Sequence, residues 1–578
     1  MGFGCATVDL GAGGRVRGNA WAHGEEFLTI PYATHERFNP PVMRTELPQD
    51  PFDATNILGF GQDACIQGPY VQGTTSYGVE NCLILNLYRP RAADVPTEPM
   101  PVLVWIFGGD NTASEIIPYN ATKLAGEHGA VVAVVSYRLG LFGFSAFEGD
   151  DKSSSGAGNN GLLDVLAAAA WLKRYGAHFG ADPDRMVVFG ESSGATDAQI
   201  LTMSPAAAGV FSGSIAESGG LYANKLHDAI QNTRKVARAV GCDGVGPSMR
   251  ECLQRKPAAD LIGPASDSFW GPTVDGVILP DTPQALLSAG KLNKGVSVLW
   301  GALTNDSALP FMLDEYVSQR EYIKQLNATI HGEGPPGSAA ATKITTSRGL
   351  SRSSRVHHGR VLSSPQASAP MDGAVADALL DRALELYPPR ARDDHFGNNA
   401  ALVGWFSSDQ FMCEAKREVL AASKAVTGGG RAFMYRFDWF FQSTTTCVAD
   451  SNYHTPKSGP NHADDMTFVF GQPIFDNQDP PGYSYTNCSD PSSHYYDAKR
   501  CVGCAFDAHE ALFSRAVGAF WTSFARTGTP GGNWTPFGSG NEFNVLLHPS
   551  AIRMEANLSR AAACRFWDDV DRANGGLL

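Results

Sequence analysis

Six residues, Gly190-Glu191-Ser192-Ser193-Gly194-Ala195, restrict the fold more than any other stretch of this chain. They follow a short apolar run, Met186-Val187-Val188-Phe189, and precede a stretch that suits a helix. The spacing predicts a strand, a sharp turn and a helix, with Ser192 at the apex. Such a turn holds the serine in a strained backbone conformation, and neighbours without a Cβ let strand and helix approach closely. The hydroxyl then stands exposed at the carboxyl edge of a sheet, with a helix N-terminus behind it. A G-x-S-x-G string also arises by chance in a chain with 62 glycines. Its surroundings therefore carry the weight.

Those surroundings alternate. Residues 1–100 read as short strands and turns rich in Gly and Pro. From about 100 to 220, apolar β runs alternate with helical stretches. Val102-Leu103-Val104-Trp105-Ile106-Phe107 ends in Gly108-Gly109, and Val131-Val132-Ala133-Val134-Val135 ends in Ser136-Tyr137-Arg138. Uninterrupted β-branched runs of this kind mark strands buried on both faces. Strong helix formers fill most of the stretch between Gly161 and Phe179. The pattern implies an α/β fold, with a large, mostly parallel central sheet and helices on both faces. Ligands then belong at the carboxyl ends of the strands, where the serine turn falls.

At 578 residues the chain has length for several domains, yet it reads as one α/β unit over 1–578. Two insertions interrupt it. Residues 331–371 carry Lys343, Arg348, Arg352, Arg355 and Arg360 against one acid, Glu333, in a Ser, Ala, Gly and Pro background. That composition cannot build a core and predicts a disordered insertion. Residues 475–505 form a second one, rich in Tyr, Asp and Cys.

The formal net charge of −14 argues against nucleic acid and against an anionic membrane surface. No apolar stretch reaches the length of a membrane span. No signal peptide is visible, because Met1-Gly2-Phe3-Gly4 leads directly into strand-like sequence; the N-terminus reads as trimmed or incomplete. Sequons at Asn120, Asn327, Asn487, Asn533 and Asn557 support secretion weakly, and a sixth, at Asn305, falls in a segment expected to be buried.

The chain resembles the type-B carboxylesterase and cholinesterase-like family, a group of α/β-hydrolases, over nearly its whole length apart from the insertions. The matching strings are Ile30-Pro31-Tyr32-Ala33, Arg37-Phe38, Asn81-Cys82-Leu83-Ile84-Leu85-Asn86, Tyr137-Arg138-Leu139-Gly140, Gly161-Leu162-Leu163-Asp164, Phe179-Gly180-Ala181-Asp182-Pro183 and the serine turn. Val274-Asp275-Gly276 and Phe468-Val469-Phe470-Gly471 continue the series.

An unassisted serine hydroxyl is a poor nucleophile; it needs a base in reach and a third group to orient that base. In this fold the chain order is serine, acid, histidine. The resemblance implies Ser192 as nucleophile and His462, in Asn461-His462-Ala463-Asp464-Asp465, as base. It implies Asp306 as the orienting acid, where the family more often has glutamate; Asp464 and Asp465 are rival acids. The implied oxyanion donors are the amides of Gly109, Asp110 and Ser193. Asp110 departs from the family's third glycine and sets a carboxylate where negative charge must develop. It is expected either to slow ester turnover or to act as an extra base for deacylation. Glu191 and Ser218 resemble supporting residues around the histidine, and Arg37 with Glu80 resembles a structural salt bridge.

The family's loop disulfides imply Cys65 with Cys82, Cys242 with Cys252, and Cys413 with Cys564. Of the 11 cysteines, Cys5, Cys447, Cys488, Cys501 and Cys504 remain. Extra bridges in the second insertion, with Cys5 as the odd thiol, are expected over a zinc site, and no metal or cofactor is expected. Bridged cysteines point to an oxidising, extracellular setting. The Cys65–Cys82 loop holds Tyr70 and Tyr77 but no Trp, and Ala308-Leu309-Pro310 follows the acid, so choline esters fit poorly. The expected activity is hydrolysis of small or lipid-like carboxylic esters. A cholinesterase-like binding or adhesion protein with little or no catalysis is the alternative, and acyl transfer a third.

Overall fold

The computed structural model describes residues 4–58, 61–69, 75–149, 157–307, 318–331, 371–389, 399–441, 459–472, 506–538, 540–556 and 560–574. The insertion expected at 475–505, and all but the two ends of that at 331–371, lie outside them. So do Tyr70, Ala308-Leu309-Pro310, Cys447, Cys488, Cys501, Cys504, Asn487 and Asn557.

Among the described residues, one sheet of 13 strands organises the chain. Across it the strands run Cys5–Asp9, Arg15–Ala20, Glu25–Pro31, Ile84–Arg89, Val131–Val135, Met100–Ile106, Ala181–Glu191, Gly213–Glu217, Ser297–Leu303, Ala432–Phe437, Phe543–Leu547 and Arg553–Ala556. Phe52–Asp53 pairs alongside Arg15–Ala20. Every pairing from Val131–Val135 to Phe543–Leu547 is parallel. Antiparallel strands flank this block on both sides. The chain thus adopts the α/β-hydrolase arrangement, a large mostly parallel sheet with helices packed against it.

Burial explains why the central strands read as unbroken apolar runs. Val102 to Phe107 and Val131 to Val135 are inaccessible to solvent. Each large side chain among them contributes roughly 1.5–3 kcal/mol relative to exposure. Two of the recurring strings meet here. Arg138 grips Asp164 through Nε–Oδ2 at 2.8 Å and Nη2–Oδ1 at 2.7 Å, a buried two-pronged pair. Arg37 and Glu80 pair at 2.7 Å, and Arg37 also donates to the Leu253 and Lys256 carbonyls, which ties the N-terminal region to a distant helix end.

Three disulfides close Cys65–Cys82, Cys242–Cys252 and Cys413–Cys564. The last joins helix Asn399–Ala425 to helix Ala561–Ala573. Cys5 is free and exposed. No helix of the described residues is long and apolar enough to cross a membrane. Of the sequons, Asn533 is exposed, while Asn120 is buried and accepts from its own Thr122.

Register sets up the carboxyl edge. Glu191 lies beside Glu217, Glu217 beside Gly301, and Gly301 beside Tyr435. One row of strand ends therefore carries two carboxyls and a phenol.

Candidate active site

Ser192 sits between strand Ala181–Glu191 and helix Ser193–Leu201 with φ 56° and ψ −127°. No L-residue adopts that conformation without strain. The turn persists because its surroundings fix it: Ser192 N–H donates to the Glu217 carbonyl at 2.9 Å. A Cβ on Gly194 would meet the Ile106 carbonyl at 2.1 Å, so only glycine admits this strand-to-helix approach. Ser192 is half-buried.

Asp306 and His462 are far apart in sequence and adjacent in space. His462 Nδ1 lies 2.6 Å from Asp306 Oδ1. The other carboxylate oxygen of Asp306 accepts from Ser218 Oγ at 2.6 Å and from Leu303 N–H at 2.8 Å. With its side chain sealed from solvent, Asp306 is fixed from three directions. Its loop and the histidine loop are stitched directly, Asn305 N–H to the Pro460 carbonyl at 3.0 Å. The rival acids serve elsewhere: Asp464 accepts from Asn461 N–H at 2.8 Å, and Asp465 accepts from Tyr435 OH at 3.1 Å.

On the far side of the ring lies Glu191, the buried carboxylate expected near the histidine. His462 Nε2 lies 3.1 Å from Glu191 Oε1, at ion-pair distance. Among the described residues His462 makes no hydrogen bond to the Ser192 hydroxyl. The imidazole is thus held between two carboxylates, one of them the neighbour of the serine. Burial disfavours its charged form, but Glu191, Asp306 and Asp465 outweigh that and raise His462 to about 10.

Behind it lies an acid cluster that sequence reasoning missed in part. Glu217 accepts from Trp521 Nε1 at 2.7 Å. That tryptophan comes from helix Ala508–Thr527, which Asp507 and Glu510 start with a reciprocal cap and Gly528 ends. Glu217 and Asp465 are both pushed well above the ordinary carboxyl range, by burial first and then by neighbouring carboxylates. The signal for Glu217 was available: Glu191 and Glu217 each end a strand, and parallel neighbours in register place such ends side by side.

The segment expected to supply oxyanion donors follows strand Met100–Ile106. Gly108 packs on the turn; a Cβ there would stand 2.8 Å from the Glu191 carbonyl and 2.9 Å from Ser192 Cβ. Gly109, Asp110 and Asn111 take φ values of 99°, 56° and 56°. Asp110 is half-buried, and its charge faces Tyr222, whose hydroxyl burial and Asp110 together push upward. Ser193 opens its helix, so its N–H has no intrahelical acceptor. A cavity of about 540 Å³ opens beside Asn305, lined by Tyr387, Trp405, Asp409 and Arg560, and contains neither Ser192 nor His462. Among the described residues no cluster of His, Cys, Asp or Glu is arranged to hold a metal ion.

The arrangement offers a strained serine, a carboxylate-oriented imidazole and main-chain donors at one sheet edge. The model of the carboxylesterase family matches residues 5–567. Carboxylesterase 1C of Rattus norvegicus is 26% identical over 503 residues, 85% of this chain and 77% of that protein. Cocaine esterase of Homo sapiens is 28% identical over 511 residues, 84% of this chain and 75% of that protein. Neuroligin-2 of Homo sapiens is 26% identical over 553 residues; the match takes in 87% of this chain and only 58% of that longer protein. With all but its extreme ends matched, the chain belongs to the carboxylesterase family.

Proposed function

We propose that this protein is a serine carboxylesterase. The observation that carries the reading is the Asp306–His462 hydrogen bond of 2.6 Å beside the strained Ser192 turn. Ser192 Oγ attacks the ester carbonyl while His462 takes its proton. The Gly109, Asp110 and Ser193 amides bind the oxygen as it becomes negative. His462 returns the proton to the leaving alkoxide, and an acyl group stays on Ser192. Water, deprotonated by the same imidazole, then releases the acid. Asp306, fixed by Ser218, orients the ring through Nδ1, so that Nε2 makes this exchange once it has given up its proton and left Glu191.

Neutral acyl esters, small or lipid-like, suit this site better than choline esters, because the Cys65–Cys82 loop offers no tryptophan face to a quaternary ammonium. The three disulfides support an oxidising, extracellular setting.

One observation favours a second reading, a binding protein without turnover. His462 engages Glu191 at 3.1 Å rather than the Ser192 hydroxyl, and a ring held up to about 10 is charged at neutral pH. A phosphonylating serine reagent separates the two. Peptide mapping that finds the label on Ser192, together with turnover of p-nitrophenyl esters, supports the esterase. An unlabelled Ser192 and no turnover between pH 7 and 10 support the binding protein.

A further inference from the structure

Oxyanion donors act only if their spacing is right, and here they come from two separate segments. Ser193 belongs to the turn, while Gly109 and Asp110 belong to the loop after strand Met100–Ile106. A misplacement of about 1 Å between such groups can cost about 10²-fold in rate. Something must therefore set the distance between turn and loop.

The hydroxyl of Ser193 does so in the structure. It accepts from Asn111 N–H at 3.0 Å, a hydrogen bond that joins the two segments directly. Ser193 is itself one implied donor, and Asn111 directly follows another, Asp110. Asn111 is inaccessible to solvent and gripped on every side. Tyr137 OH lies 2.9 Å from its Oδ1 and 2.8 Å from the Phe107 carbonyl. Its Nδ2 donates to Asp197 Oδ1 at 3.3 Å, and its carbonyl accepts from Gly140 N–H at 2.6 Å. Asparagine also tolerates the left-handed conformation, φ 56°, that this position requires.

Asp197 would be a poor anchor if it were charged, because negative charge must build up nearby during the reaction. Burial pushes its carboxyl well above the usual range, against the Asn111 hydrogen bond, which favours its uncharged form. Its Oδ2 makes no hydrogen bond among the described residues.

We infer that Ser193 is a positioning residue: its side-chain hydroxyl, through Asn111 and the Tyr137 and Asp197 anchors, fixes the gap between the two halves of the oxyanion hole. The inference rests on the reading of Ser192 as nucleophile. It assigns the second serine of the Ser192-Ser193 pair a role distinct from that of its main-chain N–H.

Ser193→Ala keeps the amide and removes the latch. With p-nitrophenyl butyrate, kcat is expected to fall about 10-fold to 100-fold while KM stays within about twofold, less than the about 10²–10³-fold that outright loss of one oxyanion donor costs, because the amide itself is kept. An alkyl trifluoromethyl ketone, which forms a tetrahedral oxyanion on a serine, should lose affinity by the factor lost in kcat/KM. A role confined to folding would lower the melting temperature without splitting kcat from KM. Ser193→Cys, which keeps a weak acceptor, should fall between the parent and Ser193→Ala. Turnover by the parent with unchanged kcat/KM and ketone affinity in Ser193→Ala overturns this inference alone. A parent chain with neither turnover nor Ser192 labelling overturns the esterase reading, and this inference with it.

Discussion

The two walls of the serine turn are built on opposite principles. The acid wall is made of side chains: Asp306, Ser218, His462, Glu191, and behind them Glu217 and Asp465. The wall proposed to hold the oxyanion is made of backbone: Gly108, Gly109, Asp110 and Ser193, with side chains only bracing it. Charge is dense on the first wall, where one imidazole stands among several carboxyls. On the second, burial of the Asp197 carboxyl favours its uncharged form. Strain is present on both. The oxyanion loop has two consecutive non-glycine residues at positive φ, Asp110 and Asn111, and the acid wall has Ser218 and Ala463, but the acid wall adds side-chain hydrogen bonds and ion pairs. The lesson is that a site can be held rigid either by electrostatic partners or by forced backbone, and each fails differently when altered.

The largest effect should come from the acid wall. Asp306→Ala leaves His462 Nδ1 and Ser218 Oγ without their shared partner. A fall in kcat/KM of about 10³–10⁴-fold is expected, as for loss of the orienting acid in other serine enzymes. A loss below about tenfold would mean that Asp464 or Asp465 orients the ring instead, and the two-wall contrast would need redrawing.

Next comes a change confined to the backbone wall. Gly108→Ala adds a carbon within 3 Å of the Glu191 carbonyl, Glu191 Oε2 and Ser192 Cβ, so turn and loop must separate. We expect kcat to drop about 10²–10³-fold, with the downfield Nδ1–H proton resonance of His462 unchanged. Loss of that resonance would show that the walls are not independent.

Asp110→Gly should have a smaller effect of opposite sign. It removes a carboxylate from the oxyanion side and relieves a left-handed residue, a strain of about 1–2 kcal/mol. For neutral esters a gain in kcat of about fivefold to tenfold is expected. A slower variant with build-up of acyl-enzyme would instead make Asp110 the base for deacylation. No change in either rate or pH profile would make it a bystander.

The acid wall and the backbone wall were not equally legible in the sequence. The parallel sheet was readable because strands buried on both faces leave long apolar runs, as at Val102–Phe107. The turn was readable because only glycine permits it, and glycine is visible in a sequence. The coming together of Asp306 and His462 depends on long-range folding, which periodicity does not encode; the resemblance to a family supplied it. Glu217 went unnoticed because a glutamate in an apolar strand looks like an exposed strand end. Its partner Trp521 lies 304 positions away on another element. The Asn111–Ser193 latch was invisible for a simpler reason: it is a backbone N–H meeting a side chain, and no residue pattern announces it.

The smallest change tests how charge on the acid wall sets the working pH. As the proposed base, His462 can accept a proton only when neutral. Burial lowers its affinity for a proton, yet Glu191, the largest opposing influence, helps raise it to about 10. Activity in the parent chain is therefore expected to rise with pH, about tenfold per unit, until the ring loses its proton near that value. Glu191→Gln removes the charge and keeps the shape, so the proton is held less tightly and the acid limb of kcat/KM moves to lower pH. Near pH 7 the variant should be the faster of the two, and on the alkaline plateau the rates should agree within about threefold. A limb that stays where it was would mean that Asp306 and Asp465 alone hold the imidazolium. The 3.1 Å approach of Glu191 would then be packing, and the acid wall would owe its charge to fewer groups than its geometry suggests.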